Sequence, residues 1–135
     1  MMLATPYRFT PDVIRQIIPE GCIGVYALGD VEEGRFAIKY VGRSDRSLRR
    51  RLLTHNLLYE FSYFIFMTVS STREGFELES RWWHDCKLAH LPVENRIHPD
   101  APSGQKLQCP YCDFAHNIRR FLSEEIATSE WLNVG

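Results

Sequence analysis

No apolar run in the 135-residue chain reaches the roughly 18–20 residues that a membrane-crossing helix needs. The first residues, Met1 to Arg8, lack the basic-then-apolar pattern of a secretory leader. Together these absences predict a cytoplasmic protein with no membrane partner. Excess positive charge is also missing. Sixteen Lys and Arg face seventeen Asp and Glu, for a formal net charge of −1, which argues against a generic nucleic-acid coat. Internal repeats and low-complexity tracts are absent. Cysteine is sparse, with four residues at Cys22, Cys86, Cys109 and Cys112, too few for a disulfide scaffold.

What is present is the composition of an ordinary globular protein, 44% hydrophobic and 24% charged, at a length that suits one domain spanning 1–135. Thr10-Pro11-Asp12 opens a short helix, with Thr10 as N-cap and Pro11 in the first turn, and Pro19-Glu20-Gly21 closes it. Cys22 to Leu28 and Phe36 to Val41 read as two strands of an antiparallel hairpin. Gly29-Asp30 and Glu32-Glu33-Gly34 lie in the polar turn between them. A loop from Gly42 leads into a helix from about Ser47 to Tyr59, with Leu48 and Leu52 inward. Phe61 to Val69 is the strongest strand, dense in aromatic and branched residues. Ser71, with Glu74 three residues on, forms a capping box that opens a helix to about Leu88, with Phe76, Leu78, Trp82 and Trp83 as its apolar contacts. From Leu91, five prolines and glycines break regular structure up to about Tyr111. So long an irregular stretch in a compact domain calls for a staple. A last helix is predicted over 117–127.

The charge is uneven. Arg43, Arg46, Arg49, Arg50 and Arg51 fall within nine residues, just after Lys39. By default such a run is a solvated helix face. Its neighbours give it another meaning. Gly24-Val25-Tyr26 is followed, fourteen residues after Tyr26, by Tyr40-Val41-Gly42. Arg51 and His55 then stand four apart on the next predicted helix, a strand follows, and Glu79 lies midway along the capped helix. Asn95 comes after it. In this order the segment 21–98 resembles the GIY-YIG nuclease superfamily. Valine replaces isoleucine in both triplets, and one extra residue before Arg51 makes Arg50 a competing assignment. Arg51 keeps the helical phase with His55.

The resemblance implies an α+β fold of the α/β-sandwich kind, a small three-stranded antiparallel sheet flanked by helices. It implies a DNA endonuclease using one Mg²⁺ or Mn²⁺, with Tyr26, Tyr40, Arg51, His55 and Glu79 converging on one face of the sheet. The residue types suit phosphodiester hydrolysis. Arg51 offers a planar fork of donors to phosphate. Glu79 offers a hard oxygen to Mg²⁺, which keeps several waters and takes few protein ligands. Tyr26, Tyr40 and His55 are the candidates for handling the proton of the attacking water, a phenol needing a nearby cation to lower its pKa from about 10. Gly42, Arg43, Arg46, Arg50 and Asn95 are candidate substrate contacts, the arginines adding salt-dependent grip without sequence preference. Alone, the two tyrosines would be half-buried strand aromatics. Glu79 stands out without any family, because its helical neighbours at three and four residues are Gly75, Phe76, Trp82 and Trp83. A carboxylate among them is costly unless a metal, or Arg51 from the adjacent helix, satisfies it.

Cys109-Pro110-Tyr111-Cys112 is a C-x-x-C knuckle, and tetrahedral zinc would need two further ligands. His84 and His98 are the favoured pair, with Cys86, His90 and His116 within plausible reach. Asn95-Arg96-Ile97-His98-Pro99 with the downstream Cys-Pro-x-Cys resembles one branch of the same superfamily, which favours His98. Such a closed structural site within 92–116 would pin the irregular segment to the helix of Glu79. Two other readings compete: a non-catalytic nucleic-acid-binding zinc module, and a redox or metal-handling protein built on Cys109 and Cys112. DNA is the partner implied, with a second protein as a possible source of specificity and the oligomeric state open.

Overall fold

A computed structural model describes residues 5–95 and 97–112. The order is β1 (Tyr7–Arg8), α1 (Pro11–Ile17), β2 (Ile23–Glu32), β3 (Arg35–Ser44), α2 (Leu48–Leu53), β4 (Tyr63–Val69) and α3 (Thr72–Leu88). The architecture is α+β, as expected. The sheet is antiparallel throughout, but it has four strands in the order β1-β4-β2-β3 and not three. The addition is the two-residue β1, too short to carry a sequence signal, which pairs Tyr7 and Arg8 with Phe64 and Tyr63. The helix expected over 117–127 and the alternative ligand His116 lie outside the described residues.

The hairpin is longer than its hydrophobic pattern suggests. Gly29 and Asp30 belong to β2, paired with Ile38 and Ala37, and the turn narrows to Glu33-Gly34. Both turn residues have positive φ, 51° and 75°, the two-residue geometry whose twist matches a hairpin and for which glycine is suited. Between Leu28 and Gly29 the register slips, because Leu28 pairs with Tyr40 and Gly29 with Ile38. Lys39 is thus an extra residue, a β-bulge. Its effect is to break the alternation of side chains along β3.

Two apolar clusters lie on opposite faces of the sheet. One holds Tyr26, Leu28 and Phe64 against Ile14 and Ile18 of α1 and Leu48 and Leu52 of α2, with Tyr40 at its margin. The other holds Val25, Ala27, Ile38, Val41 and Ile65 against Trp82 and Cys86 of α3, with Val93. Ile38 and Tyr40, two residues apart, face opposite sides because the bulge lies between them.

The caps form as anticipated. Thr10 accepts from the Val13 amide, and Ser71 from the Glu74 amide at 3.1 Å. α2 is shorter than predicted. Ser47 caps its start, accepting from the Arg50 amide at 3.2 Å, and Thr54 ends it with its Oγ1 donating to the Arg50 carbonyl at 2.8 Å. A side chain that turns back on its own helix competes with continuation, so the run through His55 to Tyr59 folds as successive turns.

Candidate functional site

Four of the five expected catalytic side chains meet on the face covered by α1 and α2. The rings of Tyr26 and Tyr40 stack with centroids 6.3 Å apart and planes inclined by 18°. The ring of His55 stands edge-on to both, at 5.5 Å and 5.2 Å. Arg51, otherwise exposed, donates from Nε to Tyr26 Oη at 3.2 Å. His55 reaches this place from the turn beyond α2, although sequence spacing placed it on the helix itself.

Gly42 explains how Tyr26 fits. Gly42 is the cross-strand partner of Tyr26, and a β-carbon there would lie 2.3 Å from Tyr26 Cζ and 2.4 Å from its hydroxyl. The glycine of the second triplet is therefore a seat for the tyrosine of the first. Gly42 thus has a packing role, beside the substrate contact expected of it.

Glu79 arrives from the opposite face, on α3, so the five groups do not share one face of the sheet. Its side chain is 11% exposed, and Oε1 accepts from Arg43 Nη1 at 2.8 Å. Arg43, not Arg51, is the cation that pairs with it. The same guanidinium grips Asp45 with two hydrogen bonds, at 2.8 Å and 3.2 Å, and lies over the Phe76 ring. Its side chain is 10% exposed and its donors are engaged by two carboxylates, which contradicts a free phosphate contact at Arg43. Register accounts for this. Gly42 points to the face of α2, so Arg43 points to the face of α3. Arg46 and Arg50 are exposed and form no ion pair among the described residues, while Arg49 is tied to Glu20 at 2.8 Å.

The groups shift one another's ionisation. Burial pushes the Glu79 carboxyl up to about 7, opposed by Arg43 and Arg51. Burial also raises the Tyr26 phenol well above its ordinary range, against the pull of Arg51, and nearby Glu79 adds to the rise. Tyr26 is fully buried and protonated at neutral pH, whereas Tyr40 is half-buried. Burial, helped by Arg51, lowers His55 to about 4. His55 is thus neutral near pH 7. Its Nδ1 accepts from the Leu57 amide at 3.1 Å, which puts the ring proton on Nε2. That N–H is buried and has no partner among the described residues. An orphaned donor in a polar cluster is a place that favours an incoming oxygen.

Asn95 does not face this group. Its Oδ1 accepts from the Val41 amide at 3.1 Å and its Nδ2 donates to the Val41 carbonyl at 2.7 Å. The side-chain amide is engaged as a strand partner on the open edge of β3, a role not expected from its place in the sequence. A separation of 54 residues left no local signal for this pairing.

The second cluster assembles as expected. One ligand atom each from His84, His98, Cys109 and Cys112 lies within 4.8 Å of the others. Cys86 is instead sealed in the core and His90 is exposed. Cys112 Sγ is 3.5 Å from Nε2 of both His84 and His98. Tetrahedral bonds of about 2.3 Å to sulfur and 2.0–2.1 Å to nitrogen would separate such ligands by about 3.5 Å. His98 Nδ1 lies 2.7 Å from the Pro99 carbonyl, a bond that presents the Nε2 lone pair to the cluster. The four residues can hold a metal ion, and their mixed sulfur–nitrogen set and spacing suit zinc.

No protein-family model matches the chain, and neither a curated protein nor a solved structure matches it. The described helices include none long and apolar enough to cross a membrane.

Proposed function

We propose that the protein is a GIY-YIG-like endonuclease that hydrolyses DNA phosphodiester bonds with one Mg²⁺ or Mn²⁺, its 92–112 segment stapled by structural zinc. The observation that carries this reading is the meeting of Tyr26, Tyr40, Arg51 and His55, with Glu79 close enough to influence Tyr26 and to be influenced by Arg51. Separate segments supply these groups, and no packing requirement calls for an arginine, a histidine and a carboxylate together beside two phenols.

Glu79 fits a divalent cation. One oxygen is held by Arg43, the other accepts no hydrogen bond from the described residues, and burial raises the carboxyl pKa despite Arg43 and Arg51, so the buried carboxylate would gain from a further cation. A bound Mg²⁺ or Mn²⁺ would neutralise charge on the reacting phosphate. The chain's own groups divide the rest. Arg51, exposed and oriented by Tyr26, presents its remaining N–H groups to phosphate oxygens. His55 offers Nε2–H as a donor. Tyr26 is held protonated by burial and His55 is held as a donor by Leu57, so Tyr40 would take the proton of the attacking water only once the bound cation had favoured its phenolate.

The test is nicking of supercoiled plasmid with Mg²⁺ or Mn²⁺. Wild type is expected to nick, and Glu79→Ala and Arg51→Ala each to lose at least about a hundredfold in rate. Equal activity in both variants refutes the site. Binding without cleavage under every metal condition favours the non-catalytic module instead.

A further inference from the structure

The edge of β3 next to the candidate site is held by the segment that the metal cluster anchors. Two backbone positions on that edge have partners there. Glu94 N donates to the carbonyl of Lys39, the bulge residue, at 2.6 Å. Asn95 pairs with both the amide and the carbonyl of Val41. Tyr40 lies between these two points and Gly42 just after the second. The bulge is what turns Tyr40 toward Tyr26 and His55, so Glu94 and Asn95 together hold the feature that aims it.

The same segment is tied to the metal cluster by short links. The Asn95 carbonyl accepts from Trp83 Nε1 at 3.0 Å. Trp83 adjoins His84 in α3, and its ring centroid is 5.1 Å from those of both His84 and His98. His98 follows Asn95 by three residues. Outside this clip the segment is held by Val93 in the core cluster with Leu91 packed against it, by buried Pro102 and by Gln105 Nε2 donating to Thr72 Oγ1 at 2.9 Å, while Glu94 and Ile97 are exposed.

We propose that Asn95 is a positioning residue that transmits occupancy of the His84–His98–Cys109–Cys112 site to the Tyr40–Val41–Gly42 edge. With the metal bound, the segment is drawn onto α3 and Asn95 completes the ladder of β3. Without it, the clip opens, the bulge loses its partner and Tyr40 loses its fixed orientation. Loss of the metal, or oxidation of Cys109 and Cys112 to a disulfide by a two-electron oxidant such as peroxide with loss of two protons, therefore loosens the candidate site at a distance. The effect on activity rests on the nuclease reading. The effect on the edge does not.

The experiment is residue-resolved amide hydrogen exchange on three preparations: zinc-loaded wild type, chelator-treated wild type, and zinc-loaded Asn95→Ala. The Val41 amide is expected to exchange about tenfold or more faster in the second and third than in the first, the size of one missing hydrogen bond. Amides of the β2–β4 ladder, such as Ile65, are expected to stay protected. Unchanged Val41 exchange after chelation overturns the coupling. Equal loss of protection across β2 and β4 also overturns it, because the metal then supports the whole fold and not this edge. Asn95→Asp is the second variant. It keeps the acceptor for the Val41 amide and sets a carboxylate oxygen against the Val41 carbonyl, so Val41 protection is expected to fall between wild type and Asn95→Ala. If nicking is observed, both variants are expected to lower kcat by about ten- to a hundredfold with KM little changed, as misplacement of a reacting group does. Exchange that follows the prediction without any nicking retains the coupling and removes the nuclease reading.

Discussion

At the scale of single residues, burial decides what each ionisable group is ready to do. His55 illustrates the sign. Its folded pKa is about 4, against 6.5 for the free side chain. Between those values the unfolded chain takes up a proton that the folded protein refuses, so this stabilisation is complete above pH 6.5 and lost as pH falls toward 4. Glu79 acts in the opposite direction, because its raised pKa lets the folded protein keep a proton between 4.5 and about 7. Comparing wild type with His55→Gln cancels the second contribution. Urea midpoints at about pH 7 and about pH 5 are expected to fall more in wild type than in the variant. Equal falls would place the His55 charge outside the stability balance. The carboxylate at 79 was legible as unusual from its apolar helical neighbours. Its partner was not, since Arg43 and Arg51 are alike in sequence and only the alternation of β3 sends Arg43 to the face of α3.

At the scale of elements, strands and caps follow their local patterns while junctions do not. Ser47, Ser71 and Thr10 cap the helices they precede, and the branched and aromatic run of β4 pairs as its composition suggests. The bulge at Lys39 and the two-residue β1 arise from fitting elements together, and the early end of α2 from the Thr54 side chain bonding back to Arg50, and no periodicity marks them. The irregular 92–112 stretch belongs to this scale as well. It has little regular structure of its own, and His98, Cys109 and Cys112 in it lie with His84 of α3 in a group that could hold a metal ion. Purified protein is expected to carry one zinc per chain, to lose it when Cys109 and Cys112 are both replaced by serine, and to change Trp83 emission on chelation because the indole touches both ligating rings. A zinc-free protein with unaltered emission would leave the cluster as a pair of ordinary thiols beside two histidines.

At the scale of the whole molecule, the net charge of −1 means that the proposed attraction to DNA would have to come from a local patch. The five arginines of 43–51 do not act together. Arg43 is engaged with Asp45 and Glu79 and Arg49 with Glu20, so on the proposed reading Arg51 serves the reacting phosphate and Arg46 and Arg50 are the arginines left for the flanking backbone. The dependence of DNA affinity on salt is accordingly expected to be shallow. Replacing Arg46 and Arg50 together by alanine is expected to reduce its logarithmic slope by about two, roughly one for each phosphate that the variant no longer neutralises. An unchanged slope would move the DNA-binding surface elsewhere.

The order of the longer strands and helices and the helix starts were readable from the chain, because each rests on residue type and short-range spacing, whereas the grouping of Tyr26, Tyr40, Arg51, His55 and Glu79, and the choice of His98 beside Cys109 and Cys112, came from the resemblance. Tertiary structure alone decided that Gly42 seats Tyr26, that Arg43 neutralises Glu79, and that Asn95 closes the edge of β3. Each of these joins segments far apart in sequence, and the register of the strands, bulge included, determines which side chains point toward each other.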